Sequence, residues 1–237
     1  MIETESGGRL RAKRRLRLGA LTVEERLLEK LPEGAMARAL LDQVRQKGLA
    51  ALPWSEGAQS LRARASFLRS LEPQAWPDLS DEALLGDAEN WLLPLLDGRS
   101  SPKAVEPGAL TAALEAMVGW EAMRRLDREA PERWSTPAGS RHAIDYAAEG
   151  GPRLEARVQE LYGLAQHPML AGGRVPLTLA LTSPAHRPIQ VTKDLPGFWK
   201  GSWKEVRAEM RGRYPRHVWP EDPAAAAPTT RAKPRGQ

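Results

Sequence analysis

Ser140, His142 and Asp145 come nearest, by type and spacing, to a nucleophile, a base and an acid. Acyl transfer needs hydroxyl, imidazole and carboxylate to converge on one substrate. On a strand, residues 142 and 145 point to opposite faces, so this local set does not converge. No Gly-x-Ser-x-Gly elbow offers another nucleophile. The absence of Cys excludes thiolate catalysis, disulfides and Cys-ligated zinc. The four histidines (His142, His167, His186 and His217) stand at no metal-ligand spacing and read as surface or turn residues. No Gly-Lys dipeptide occurs, so no Walker A loop cradles a triphosphate, and the Rossmann glycine pattern is missing too. Paired carboxylates such as Glu24-Glu25 and Glu221-Asp222 read as solvated charge. No catalytic residue is assigned, and no metal or cofactor site is expected in this chain.

Cations supply the positive features. Arg9, Arg11, Lys13, Arg15 and Arg17 alternate with Leu10, Ala12, Leu16 and Leu18, Arg14 being the exception. That period belongs to a strand with one cationic face, its charges spaced about 6.8 Å apart. Such spacing can follow a nucleic-acid backbone. It also fits a solvated edge strand blunted by charge against aggregation. The second cationic set lies near the C-terminus. Lys200, Lys204, Arg207 and Arg211 repeat at helical spacing beside an apolar stripe of Trp199, Trp203, Val206 and Met210. With Arg213 and Arg216 they can grip phosphates, while Tyr214 or Trp219 stacks on a base. For Trp199, Trp203 and Trp219, core anchoring is the preferred reading.

The elements that carry these residues make an α+β chain. The strand over 9–18, extended by Leu21 and Val23, is followed by nothing strand-like for more than a hundred residues, so its partners are expected elsewhere. An α-helical bundle fills the middle. Its first helix carries Met36, Leu40 and Val44 and stops at Gly48; the second, capped by Ser55, buries Ala58, Leu61, Ala65 and Leu68. Arg62, Arg64 and Arg69 are placed away from that stripe. A third helix starts at Ser80, buries Leu84, Ala88, Trp91, Leu92 and Leu95, and is kinked or ended by Pro94. A fourth runs from Leu110 through Trp120 to about Arg128. After a linker at Pro131, Pro137 and Gly139, two hairpins are predicted, one turning at Gly150-Gly151-Pro152 and one at Ser183–His186. They imply a small antiparallel sheet or OB-like partial barrel, which the N-terminal strand can complete. An amphipathic helix over 198–212 and a disordered tail over 223–237 follow.

The net charge of +5 and the eight Trp suit an acidic partner, nucleic acid before membrane. No apolar run is long enough to span a membrane, and the first residues lack a signal-peptide pattern, so a cytoplasmic location is expected.

The stretch Gly172-Gly173-Arg174-Val175-Pro176-Leu177, with Ser183-Pro184-Ala185-His186-Arg187-Pro188-Ile189-Gln190-Val191-Thr192 and Arg211-Gly212-Arg213-Tyr214-Pro215-Arg216-His217-Val218-Trp219-Pro220, resembles the C-terminal region of bacterial HrpB-type DEAH-box helicases. Asp194-Leu195, Phe198-Trp199, Leu52-Pro53-Trp54 and Trp91-Leu92-Leu93-Pro94 fit the same pattern. The resemblance covers essentially the whole chain. It implies an accessory region of an ATP-dependent RNA helicase, with ATP and Mg held only by motor domains that have no counterpart here. It makes residues 1–30 the remnant of an upstream OB-like β domain, 31–130 a helical domain and 140–222 the family's C-terminal domain. RNA or single-stranded nucleic acid, and helicase motor domains in cis or in trans, are the expected partners. The competing reading is a structural or protein-interaction module that braces the motor domains or recruits another protein.

Overall fold

The computed structural model describes the backbone of residues 2–4, 10–18 and 21–27 and the full residues 34–232. It divides into two compact units, Met1–Met123 and Arg124–Gln237. Residues 1–30 fall within the first of them.

In the first unit, strands β1 (Ile2–Thr4), β2 (Leu10–Leu18) and β3 (Leu21–Leu27) form an antiparallel sheet in the order β1-β2-β3. Here the structure corrects the sequence reading twice. The basic strand has partners on both sides within this chain, because the chain folds straight back after Leu18. It is also the central strand, so it is no edge blunted by charge. The register sets Arg15 opposite Glu25 and Arg17 opposite Thr22, with a bulge that leaves Val23 unpaired on β3. Arg9 lies outside the described residues, as do the side chains of Arg11, Lys13, Arg15 and Arg17.

The helical part follows its caps. Helix α1 (Ala35–Lys47) stops at Gly48, whose φ of 79° suits glycine. Helix α2 (Glu56–Leu71) starts at Ser55, whose hydroxyl accepts from the Ala58 amide, and buries Ala58, Leu61, Ala65 and Leu68. Arg64 is buried as well, at 2% exposure, against expectation. It follows Leu61 by three residues and precedes Leu68 by four, so it shares their face. Arg62 does reach outward, over the Trp54 ring and onto the Leu79 carbonyl.

The single helix predicted after Ser80 is three short ones, α3 (Asp81–Gly86), α4 (Ala88–Trp91) and α5 (Leu93–Leu96). Pro94 stands in the first turn of α5, where its missing N–H costs nothing, so it opens a helix instead of ending one. Leu96, and not Leu95, is the buried residue there. The fourth predicted helix is likewise two. Helix α6 (Pro107–Val118) ends at Gly119, with φ 82°, and α7 (Trp120–Glu129) begins anew, leaving Trp120 74% exposed.

The second unit opens with a short hairpin of β4 (Arg133–Ser135) and β5 (Arg141–Ala143), so the expected linker at Pro137 and Gly139 is its turn. The predicted hairpin across Gly150-Gly151 reduces to a single bridge, Asp145 to Arg153. Strand β6 (Arg153–Arg157) instead pairs in parallel with the later strand Thr178–Thr182. Twenty intervening residues permit that crossover. They include a second small ladder, β7 (Met169–Leu170) with β8 (Val175–Pro176). The strand Thr178–Thr182, β9, then turns through Ser183–His186 into β10 (Pro188–Thr192), the antiparallel hairpin that the sequence predicts. The sheet is therefore mixed, in the order β10-β9-β6, and the N-terminal strands form a separate sheet. In β9, Leu179, Ala180, Leu181 and Thr182 are all buried, which fits a central strand covered on both faces.

The helix expected over 198–212 is broken. Helix α8 (Leu195–Lys200) is capped by the Asp194 carboxylate on the Gly197 amide and ends at Gly201, whose ψ of −103° is not helical. Helix α9 (Trp203–Arg213) then starts afresh.

The described part of the expected disordered tail is laid down against the unit. The Gly163 amide donates to the Pro223 carbonyl, Thr229 to Gln159 and the Arg157 guanidinium to Thr230. Backbone hydrogen bonds substitute here for apolar burial, which is why an Ala- and Pro-rich composition did not reveal it. Gly163 has a φ of +86°, and an added Cβ would lie 3.3 Å from the Ala226 carbonyl. Gly163→Ala is therefore expected to lower stability by about 1–2 kcal/mol, the cost of a left-handed residue with a side chain. It should also speed proteolytic cleavage within 223–231; a urea melt and a timed digest read the two effects.

Candidate nucleic-acid interface

The C-terminal basic residues stand on an aromatic platform. Trp203 is 2% exposed and packs edge-on against Tyr162, Phe198 and Trp199, at ring centroid distances of 5.8, 5.9 and 5.3 Å. Trp219 closes the cluster at 6.1 Å from Trp203. Each indole N–H is satisfied by a backbone carbonyl: Trp199 by Leu164, Trp203 by Pro220 and Trp219 by Tyr214. The Tyr162 hydroxyl donates to the Val218 carbonyl, and burial pushes its phenol pKa up. The Trp residues thus spend both ring and N–H on packing, and Trp219 at 6% exposure is not placed to stack on a base. Tyr214 is half-buried, with its hydroxyl 3.2 Å from the Ser183 hydroxyl.

The cations divide by their partners. Arg207 is part of the framework: its Nε donates to the Trp219 carbonyl at 2.9 Å, and an Nη pairs with Glu221 at 3.0 Å. Arg213 pairs with Glu209 one turn earlier on α9. Lys200, Lys204, Arg211 and Arg216 are exposed, and among the described residues no carboxylate lies in ion-pair range of any of them. Since α8 and α9 are separate, Lys200 does not continue the helical ridge of Lys204, Arg207 and Arg211.

The same unit holds a buried cluster that residue spacing does not mark. Glu160 is 1% exposed, yet it holds the His142 Nε2 at 2.7 Å on one oxygen and the Arg157 Nε at 2.7 Å on the other. Burial raises its pKa, but hydrogen bonds from His142, Arg157 and Ser140 outweigh that and hold the carboxyl below its ordinary value. Ser140 and His142 therefore both meet Glu160, while Asp145 caps the Ala147 amide. The apparent triad is a structural carboxylate with its donors. Glu160 follows Val158 and precedes Leu161 in a short 3-10 turn, and no periodicity marks it as buried. His167 is also internal: its Nδ1 accepts from the Leu195 amide, so Nε2 carries the proton given to the Leu177 carbonyl. Burial lowers its pKa, which suits that neutral tautomer. Neither His142 nor His167 is the surface residue expected. Among the described residues no group of His, Asp and Glu can hold a metal ion, and no helix is long and apolar enough to cross a membrane.

The mixed helix-and-sheet chain, with its long C-terminal motif folded around a tryptophan cluster, is similar to the C-terminal regions of ATP-dependent helicases. The chain belongs to the family described as ATP-dependent helicase C-terminal, of the HrpB type, whose model matches residues 91–223. The ATP-dependent RNA helicase HrpB of Escherichia coli (strain K12) is 45% identical over 230 residues, which are 97% of this chain and 28% of that protein. The crystal structure of the E. coli DExH-box NTPase HrpB superposes with a TM-score of 0.80 at 44% identity, over 97% of this chain and 29% of that one. A structure of the Escherichia coli DEAH/RHA helicase HrpB gives 0.69 at 42%, over 92% and 28%. The chain thus spans under a third of the length of the relatives that it matches, the C-terminal region without the motor domains.

Proposed function

We propose that this chain is an RNA-engaging accessory region of an ATP-dependent helicase, acting with motor domains in cis or in trans in the cytoplasm. The observation that carries this reading is the set of exposed cations, Lys200, Lys204, Arg211 and Arg216, which meet no carboxylate in ion-pair range among the described residues and stand beside a packed aromatic cluster. A group of cations left without acidic partners on a braced platform suits a polyanion. The N-terminal sheet would, on the same reading, belong to an OB-like domain, and the cations at positions 11, 13, 15 and 17 of its central strand would add to the same term.

The test is anisotropy of labelled single-stranded RNA over a range of salt concentrations. Binding should weaken with salt, and the double substitution Lys200→Glu with Lys204→Glu should reduce the log–log slope by about 1.4, from about 0.7 per lost phosphate contact. An unchanged slope would remove these lysines from the interface.

A second reading, a protein-interaction module, is favoured by Trp120, which stands 74% exposed at the start of α7. Capture of a separately expressed motor half without RNA, lost on Trp120→Ala, would support it.

A further inference from the structure

Arg207, Arg211, Pro215, His217 and Trp219 line a concavity of about 320 Å³ on the C-terminal unit. The floor is fixed, since Arg207 is tied to the Trp219 carbonyl and to Glu221, and Trp219 is locked in turn through its own N–H. Arg211 lies one helical turn beyond Arg207 on α9, so the two guanidinium groups share a face. Arg211 is exposed and meets no carboxylate in ion-pair range among the described residues. His217 completes the rim, ring to ring with Tyr214 at 6.3 Å. Burial lowers its pKa, and the nearby Arg157 and Arg216 lower it further, so at neutral pH it serves as an uncharged hydrogen-bonding group amid cations. Among the described residues no acidic side chain lines the space.

We propose that this concavity is a phosphate-binding subsite, in which Arg211 is the free cation, Arg207 the oriented one and His217 the hydrogen-bonding partner. A tetrahedral oxyanion presents acceptors in several directions, matching the Arg211 guanidinium fork, an imidazole and the fixed positive charge of Arg207 around one hollow. A solvated cationic ridge would show neither the concavity nor the pinned guanidinium. The proposal deepens the RNA reading above, but its primary probe is inorganic phosphate, so the two can fail separately.

The experiment titrates inorganic phosphate into the full chain at constant ionic strength, following the ring signals of His217 by NMR. Wild type should show a saturable shift. Arg211→Gln, at an exposed position, should weaken it about ten-fold, the scale of one charge-assisted hydrogen bond. Arg211→Lys should fall between, keeping charge without the fork, and Lys193→Gln, at an exposed position outside the concavity, should bind as wild type. A linear drift without saturation, or equal binding by Arg211→Gln in a folded protein, overturns the proposal.

RNA oligonucleotides with and without a 5′-phosphate then identify the source. An Arg211-dependent preference for the phosphorylated end supports a terminal monoester, and equal but Arg211-dependent binding supports backbone phosphate. RNA affinity indifferent to Arg211, beside intact phosphate binding, supports a small phosphate ligand and removes RNA from this subsite.

Discussion

Trp203→Ala is expected to cost the C-terminal unit about 3–5 kcal/mol, the range for removing a fully buried tryptophan. The effect is large because this side chain touches four other rings, Tyr162, Phe198, Trp199 and Trp219, in a geometry of edge-on and tilted contacts. The indole also donates to the Pro220 carbonyl, so truncation leaves a half-buried acceptor without its partner. Trp203→Phe keeps most of the apolar volume and loses that donor, and should cost less than the alanine change. A urea titration followed by near-UV circular dichroism reads both, the midpoint falling in the order wild type, Phe, Ala. A loss near or below about 1 kcal/mol for alanine would mean a plastic cluster that repacks around the gap. The substitution should also release the 214–221 segment, which hangs on Trp203, Tyr162 and Arg207, and with it the concavity.

That segment shows what residue pattern can and cannot disclose. The stripe of Trp199, Trp203 and Met210 was readable as buried because helical spacing puts those residues on one side. The break at Gly201 was not, since a stripe at i and i+4 in the sequence reads the same whether one helix carries it or two. Arg207 sat in the predicted ridge with Lys204 and Arg211, and spacing alone could not tell which guanidinium turns inward to a carbonyl. Hairpins met the same limit. The turn at Ser183–His186 joins adjacent partners and was correctly placed, whereas the pairing of β6 with β9 spans a crossover that only the packed sheet selects. Caps behaved best: Ser55 and Ser80 each accept the amide hydrogen bond expected of them, because an N-cap is decided by its neighbours in sequence. Glu160 is the opposite case. Its partners come from a hairpin strand eighteen residues earlier and from three residues back, and no local signal foretells their meeting.

The buried carboxylate yields the second strong expectation, with a sign that pH can check. Glu160 is held below its ordinary pKa in the folded state, so its partners contribute stability that is full above the unfolded pKa. That stability is lost as pH falls through the lower, folded value. Arg157→Met removes one of the two strong donors while the carboxylate stays buried, and should cost about 2–3 kcal/mol at pH 7. This is below the 3–5 kcal/mol of wholly buried pairs, because Arg157 keeps about a quarter of its side chain in solvent. The variant's Glu160 pKa rises, since burial, the leading influence on this group, now meets less opposition. The gap between wild type and variant should therefore narrow as pH falls from the variant's raised Glu160 pKa towards the wild type's lowered one, the range in which only the variant's carboxyl has taken up a proton. Arg157 also lowers the pKa of His217, so the same substitution should move the His217 titration upward. Urea midpoints at pH 7 and pH 4, with an NMR titration of His217, test the pair of effects together. A stability gap that stayed constant with pH would make Arg157 a packing residue only, and an unmoved His217 would uncouple the buried cluster from the phosphate subsite. Both shifts together would mean that Arg157 couples the buried Glu160 carboxylate electrostatically to the basic concavity.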